Sequence, residues 1–319
     1  MTQLANRVSL DIPAAKSVER GLKITVLAGG PSAERDVSFK SGGAIASALE
    51  SLGHEVHLAD IGPDNLEALD EPVDMVFIAL HGTFGEDGQL QRILDQRGIH
   101  YCGSGAMSSA LSMDKVAAKC CFIESGIPTP RFDVVTTDRM DKVLANWAPP
   151  VVVKPIAEGS SVDCRIIRDT NGLQTLLQWM VEHYDRCLIE EYIKGPELTV
   201  GILDDQALPP IQIRTKREYY DYEAKYLDDD TEYLFDIDLP VSLIEKIKSL
   251  SIETHNALGC LDFSRVDWVV EEDTHQPYVL EVNTIPGFTD HSLLPKAAQR
   301  AGLDFAMLCQ RIVELACGR

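Results

Sequence analysis

Residues 23–27 (KITVL) form a short apolar run that stops at Ala28-Gly29-Gly30, which predicts a buried strand breaking into a turn. Small or apolar residues then recur every three to four positions, at Val37, Ser41, Ala44, Ile45, Ala48, Leu49 and Leu52, and predict a helix that Gly53 stops. Residues 55–58 and 75–80 (MVFIAL) predict two more strands, the second so apolar that both its faces must be covered. Strands alternating with helices predict a doubly wound parallel sheet over residues 21–103.

The pattern changes after Gly103-Ser104-Gly105. Residues 106–125 predict a helix-rich stretch ended by Gly126 and Pro128, followed by short strands at 151–154, 187–191 and 198–203. The segment 217–233 (REYYDYEAKYLDDDTEY) has little apolar periodicity and predicts a functional loop rather than a regular element. An amphipathic helix at 243–258, strands at 263–270 and 278–283 and a mostly helical stretch at 292–317 complete the chain. Residues 1–20 show no sustained period and predict a loose arm.

The strands at 263–270 and 278–283 carry the sharpest chemistry. If they form a hairpin with Asp267 opposite Glu281, Arg265 lies opposite Asn283, because the index sum is constant across an antiparallel pair. Side chains alternate faces along a strand, so Arg265, Asp267, Glu281 and Asn283 share one face, and Val266, Trp268, Leu280 and Val282 share the other. Two carboxylates and an amide oxygen suit a hard divalent cation completed by phosphate and water. The alternative is a solvated polar face with a surface Asp–Arg pair.

Three loops add candidates. Val152-Val153-Lys154-Pro155 followed by Glu158-Gly159-Ser160-Ser161 puts a lysine at a strand end beside hydroxyls and backbone N–H groups suited to phosphate; the alternative is a plain turn. Glu34 follows the first strand, where open α/β sheets place ligands, and a carboxylate there suits an ammonium group. The alternative is that Glu34 and Asp36 merely favour the helix N-terminus. His81 follows the third strand and either contacts substrate or organises its loop by hydrogen bonding.

Composition narrows the function. The 319 residues carry 29 Lys plus Arg against 50 Asp plus Glu, a formal charge of −21, which disfavours nucleic acid and anionic lipid as partners. No apolar run is long enough for a transmembrane helix, and the eight cysteines lack C-x-x-C spacing, so the cytoplasm is the expected compartment. The chain has neither G-x-x-x-x-G-K-[ST] nor G-x-G-x-x-G, which excludes an ordinary P-loop and weakens a dinucleotide oxidoreductase.

Eight ordered segments spanning about residues 23–315 resemble the D-alanine–D-alanine ligases of the ATP-grasp superfamily. They are GGPSAERDVSFKSG (29–42), ALHGTFGEDGQLQ (79–91), SGAMSSALSMDK (104–115), VVVKPIAEGSSV (151–162), LIEEYIKGPELTV (188–200), YDYEAKY (220–226), SRVDW (264–268) and LEVNTIPGFTDHSLLPKAA (280–298). The resemblance implies an α/β (α+β) fold: an N-terminal Rossmann-like domain (21–103), then a two-lobed ATP-grasp fold (104–196 and 197–319) with ATP between two sheets. It implies ATP-dependent joining of two D-alanines through an acyl phosphate, for peptidoglycan precursors.

By the same resemblance, Asp267, Glu281 and Asn283 would hold two divalent cations, Mg²⁺ or Mn²⁺. Lys115, Lys154 and Lys225 would contact ATP phosphates beneath Ser160 and Ser161. Glu190, Glu191, Tyr192 and Ile193 would line the adenine site, with Glu197 on the ribose. Glu34 would take the ammonium of the first D-alanine and His81 would lie in the substrate site. Arg265 and the Gly287 N–H would stabilise the tetrahedral oxyanion, and Ser292 and Leu293 would receive the second carboxylate. Glu34, Ser160 and Tyr226 would form a triad that closes the Tyr-rich loop, and the protein would be a homodimer.

Asp163, where the family usually has Gly, and Thr83-Phe84 depart from the pattern and bear on loop dynamics and ATP affinity. The rival readings are a D-alanine–D-lactate ligase, another ATP-grasp carboxylate–amine ligase, and an inactive ATP-binding regulatory module.

Overall fold

The computed structural model describes residues 21–215, 231–289 and 292–319. Lys225 and Tyr226, the arm expected at 1–20 and most of the Tyr-rich loop lie outside the described residues.

The first sheet is parallel, as the alternation predicts. Strand β1 (Lys23–Gly29) lies between β2 (Glu55–Ile61) and β3 (Met75–Ile78), with helix α1 (Arg35–Ser51) as the crossover from β1 to β2. All four residues of β3 are buried, which explains its unbroken apolar sequence, whereas edge strand β2 leaves most of its side chains partly or fully exposed. Helix α2 (Gln89–Arg97) follows and ends on Gly98.

The stretch expected to be helix-rich is two helices, α3 (Ala106–Met113) and α4 (Lys115–Glu124). Asp114 leaves helical geometry between them, and its carboxylate accepts from the N–H groups of Val116 and Ala117. This N-cap starts α4 at Lys115 and sets that lysine at the front of the helix.

A four-stranded antiparallel sheet comes next: β4 (Phe132–Val135), β5 (Val151–Pro155), β6 (Arg165–Ile167) and β7 (Cys187–Glu191), in the order β4-β7-β5-β6. Helices α5 (Met140–Asn146) and α6 (Thr170–Tyr184) cover one face through Val143, Leu173 and Leu177.

The third sheet holds β8 (Glu197–Leu203), β9 (Gln206–Ala207), β10 (Ile211–Arg214), β11 (Glu232–Leu234), β12 (Phe263–Val270) and β13 (Pro277–Asn283). Its main path runs β11-β10-β8-β12-β13. The segment expected to be loop up to residue 233 therefore ends in a strand, with Tyr233 paired to Ile213. Helix α7 (Val241–Ala257) backs this sheet with α4, burying Val266, Trp268 and Val282; the Trp268 indole N–H donates to Ser251 Oγ, so a wholly buried ring leaves no polar atom unpaired.

Helices α8 (Leu293–Arg300) and α9 (Phe305–Cys317) close the chain. Leu294 and Ile312 pack into the same core as Val26, Ile45 and Phe77 of the first sheet. Phe77, Phe263 and Phe288 meet there with ring centroids 5.8–6.3 Å apart, which fastens the loop after β13 to the end of the parallel sheet.

Candidate active site

Strands β12 and β13 pair as the sequence predicts at the decisive positions, with Arg265 opposite Asn283 and Asp267 opposite Glu281. Beyond Asp267 the register shifts, and Trp268 faces Val279 rather than Leu280. The bulge corrects the expectation that Leu280 lies on the apolar face: one extra residue on β13 turns Val279 and Val282 into the core, while Leu280 joins Glu281 on the cavity side.

The Asp267 carboxylate is held from three strands. Arg265 forms a fork, Nε donating to Oδ1 at 2.9 Å and Nη2 to Oδ2 at 2.7 Å. Thr199 Oγ1 on β8 donates to Oδ1 at 2.6 Å, and Asn283 Nδ2 donates to Oδ2 at 2.9 Å, which leaves the Asn283 amide oxygen as the acceptor end. Nothing in the sequence singled out Thr199; its place directly opposite Asp267 follows from the β8–β12 register.

One cavity lies between the four-stranded and six-stranded sheets. Lys115, Lys154, Ser161 and Glu197 line it, as does the 190–193 segment with Glu190, Glu191, Tyr192 and Ile193. Asp267, Leu280 and Glu281 close the other wall. Lys115 Nζ donates to the Glu158 carbonyl at 2.6 Å and lies 4.0 Å from Glu281. Lys154 Nζ donates to Glu190 Oε1 at 2.5 Å, and Lys119, absent from the predicted set, lies 2.9 Å from the other oxygen. Burial works against the charge of Lys154, but its contact with Glu190 outweighs this and holds its affinity for the proton above the usual lysine value.

A second cavity adjoins the first through Lys115, Glu158 and Glu281. Its walls hold Glu34, His81, Ser160 and Arg265 together with Asn283, Gly287, Ser292 and Leu293. Ser160 Oγ donates to Glu34 Oε1. Gly159 passes so near that a Cβ there would sit 3.2 Å from Glu34 Oε2, and a Cβ on Gly287 would sit 3.1 Å from Ser292 Oγ. Glycine at both positions lets backbone approach the cavity where a side chain would fill it.

His81 is buried. Its Nδ1 lies 3.1 Å from the Ile285 carbonyl, which fixes Nδ1 as donor and leaves Nε2 to accept from Ser41 Oγ at 3.2 Å. Ser41 Oγ in turn accepts the Phe288 N–H. The imidazole thus braces both sides of Gly287. Burial lowers its pKa, opposed by the Glu34 charge, so it is neutral at pH 7.

Two family models match the chain: D-ala D-ala ligase N-terminus over residues 63–104 and D-ala D-ala ligase C-terminus over residues 122–314. A D-alanine--D-alanine ligase from Syntrophotalea carbinolica is 44% identical over 294 residues, 91% of this chain and 95% of the relative. The chain belongs to the D-alanine–D-alanine ligase family. Among solved structures, the D-alanine--D-alanine ligase of Bacillus anthracis complexed with ATP superposes with a TM-score of 0.79 at 34% identity, covering 93% of this chain and 98% of that one. The VanG D-Ala:D-Ser ligase of Enterococcus faecalis gives 0.82 at 26% identity, covering 93% and 100%.

Within this ligase fold, Asp267, Glu281 and the Asn283 amide oxygen are hard oxygen donors on one strand pair. Among the described residues no group of three or more His, Cys, Asp or Glu side chains forms a cage. That donor set fits a cation shared with phosphate oxygens and water rather than one enclosed by protein.

The two departures from the family pattern have local explanations. Asp163 has φ +51°, a left-handed conformation that glycine adopts without cost. Its carboxylate accepts from Tyr184 OH of α6 at 2.5 Å and pairs with Arg165, so its charge has partners of its own within the loop and α6. Phe84 has φ +75° and is buried against Leu80, Leu90 and Ile285 as a core side chain.

Glu86 was not predicted either. It lines the second cavity, accepts the Gly82 N–H at 2.6 Å, and is pushed up to about 8 by burial and by the neighbouring Glu34 charge. Its only signal in the sequence was its place in the acidic turn after His81.

Proposed function

We propose that this chain joins two D-alanines at the expense of ATP and releases D-alanyl-D-alanine, ADP and phosphate, the step that supplies this dipeptide to peptidoglycan precursors. The observation that carries the reading is the meeting of the two cavities at Lys115 and Glu281. A nucleotide between the sheets ends where an amino acid beside Glu34 begins.

The first carboxylate attacks the γ-phosphorus, the bond to the β–γ bridging oxygen breaks, and ADP leaves with that electron pair. The acyl phosphate so formed carries a good leaving group. The amine of the second D-alanine adds to its carbonyl carbon, loses a proton, and the tetrahedral intermediate expels phosphate. Glu34 holds the first ammonium, with Ser160 fixing the carboxylate. Lys115 and Lys154, with Lys225, screen the anions that must meet. Arg265 and the Gly287 N–H face the oxyanion, while Ser292 and the start of α8 offer a hydroxyl and backbone N–H groups to the second carboxylate. By the family resemblance, Tyr226 would complete the triad that closes the site against water.

Asp267, Glu281 and Asn283 would hold Mg²⁺ or Mn²⁺, which when bound neutralises phosphate charge. The same reading places the enzyme in the cytoplasm as a homodimer; its eight cysteines are free thiols, and among the described residues no helix is long and apolar enough to cross a membrane.

A phosphate-release assay at neutral pH with D-Ala, L-Ala, D-Ser and D-lactate tests the reading. ATP-dependent release with D-Ala alone, forming the dipeptide, is the expected result. Release that requires D-lactate makes the chain an ester-forming relative, and no release with any of them removes the ligase assignment. Sedimentation at assay concentration tests the dimer.

A further inference from the structure

Lys119 belongs to none of the roles above. It lies on α4, one turn beyond Lys115, and is completely buried. Its Nζ sits 2.9 Å from Glu190 Oε2, while Lys154 Nζ takes Glu190 Oε1 at 2.5 Å. Lys154 lines the nucleotide cavity; Lys119 does not. Among the described residues Glu190 Oε2 has no hydrogen-bond partner, so the ion pair with Lys119 is what offsets the desolvation of that oxygen.

The charge arithmetic is simple. Two ammonium groups around one carboxylate leave the buried trio with a net charge of +1. Without Lys119, Glu190 and Lys154 would form a neutral pair, and the lysine facing the nucleotide would be matched by its own carboxylate. The cavity can ill spare that charge, because Glu158, Glu191, Glu197, Asp267 and Glu281 also line it and the whole chain carries −21.

We propose that Lys119 is a positioning residue for nucleotide binding: by occupying one oxygen of Glu190 it leaves the charge of Lys154 uncompensated and directed at an ATP phosphate. This rests on the reading of Lys154 as a phosphate contact, so the experiment tests that reading separately. Lys119 also donates to Thr129 Oγ1 at 2.7 Å, and Thr129 donates to the Val279 carbonyl on β13. A purely structural role through this bridge is the competing account.

ATP affinity by calorimetry, with KM and kcat for ATP, is measured for the full-length wild type and for Lys119→Met, Glu190→Gln, Lys119→Met/Glu190→Gln and Lys154→Met. Lys119→Met is expected to weaken ATP binding about tenfold or more, with a smaller change in kcat, since one unit charge near the phosphates is lost. Glu190→Gln removes the carboxylate and, because Glu190 also lines the adenine wall, is measured alone as the reference: against it, adding Lys119→Met is expected to cost little further ATP affinity. A bridge role predicts the same loss from Lys119→Met in the Glu190→Gln background as in the wild type.

A folded Lys119→Met enzyme with wild-type ATP affinity overturns the proposal, as does an equal loss when Lys119→Met is added to Glu190→Gln. Wild-type affinity in Lys154→Met instead overturns the site reading on which the proposal stands.

If Lys119→Met does not fold, Lys119→Arg and the wild type keep the question open to measurement. Burial lowers the Lys119 pKa to about 8 against the pull of Glu190, with Lys154 lowering it further. The groups facing it are Glu190 from β7, Lys154 from β5, Thr129, the Phe132 ring of β4 at 5.5 Å, and more distantly Glu281 of β13. Wild-type ATP affinity is expected to fall above pH 8 as Lys119 loses its proton, and Lys119→Arg to keep its affinity there. Identical pH profiles for the two proteins overturn the proposal.

Discussion

Ser160 donates a hydrogen bond to Glu34 across 126 residues of chain, tying the loop after β5 to the turn after β1. Ser160 holds φ +49° to make this contact, and Ser161 follows at +58°. Two consecutive left-handed serines store strain that the surrounding contacts must offset, a common mark of a ligand-gripping loop. Ser160→Ala is expected to raise the D-alanine KM and lower kcat, together by about ten- to a hundredfold in kcat/KM, with little change in melting temperature. Steady-state kinetics beside a thermal melt separates the two effects.

Glu281→Gln should lose nearly all turnover while the fold persists, because it removes a charged oxygen donor where the two cavities meet. Titrating Mg²⁺ and Mn²⁺ against activity checks this; an active variant with unchanged metal dependence contradicts the assignment. Arg265→Ala should still bind ATP yet fail to form peptide, read by calorimetry and phosphate release on the same preparation. It also frees Asp267 from its fork, so a partial loss of ATP affinity is compatible, but normal turnover is not.

Glu86 gives a pH dependence with a definite sign. Its folded pKa of about 8 lies above the ordinary 4.5, so the folded state holds a proton that the unfolded chain has released across that interval. The contribution of Glu86 to stability is therefore full below pH 4.5 and declines as pH rises to 8. Glu86→Gln keeps the hydrogen bond from Gly82 without the ionisation. Its melting temperature relative to wild type should rise steadily between pH 5 and 8 and level off above that range.

His81→Ala should raise the D-alanine KM while leaving the ATP KM within about twofold, since the imidazole braces Ile285 and Phe288 and stands apart from the nucleotide walls. Because the ring is neutral when folded, acid destabilises the wild type as pH falls below the unfolded histidine value of about 6.5. That part of the acid sensitivity should vanish in the variant, which melting curves from pH 5 to 7 report.

Much of this architecture was legible because it rests on short-range rules. Alternation along 263–270 and 278–283 was enough to place Arg265, Asp267, Glu281 and Asn283 together, since period-two geometry leaves few other registers. The bulge at Leu280 left no such trace: Val279 and Leu280 are both apolar, and an inserted residue looks like ordinary strand. Asp114 shows the opposite case, a residue type suited to N-capping inside a helical pattern, where its capping role splits α3 from α4. Lys119, Thr199 and Glu86 were missed for a common reason. Each gains its role from a partner far away in sequence, Glu190, Asp267 and Glu34 respectively, and one-dimensional periodicity carries no information about such neighbours.

The irregularity in β13 also has a consequence for how this enzyme tolerates change. Because Leu280 and Glu281 both look into the same hollow, an oily platform and an anionic anchor come from adjacent codons instead of from alternate ones. Removing a single amino acid at this point would restore perfect pleating and leave room on that face for only the platform or the anchor. Substitutions here can be graded in severity, whereas the smallest possible deletion forfeits one of the two contributions entirely.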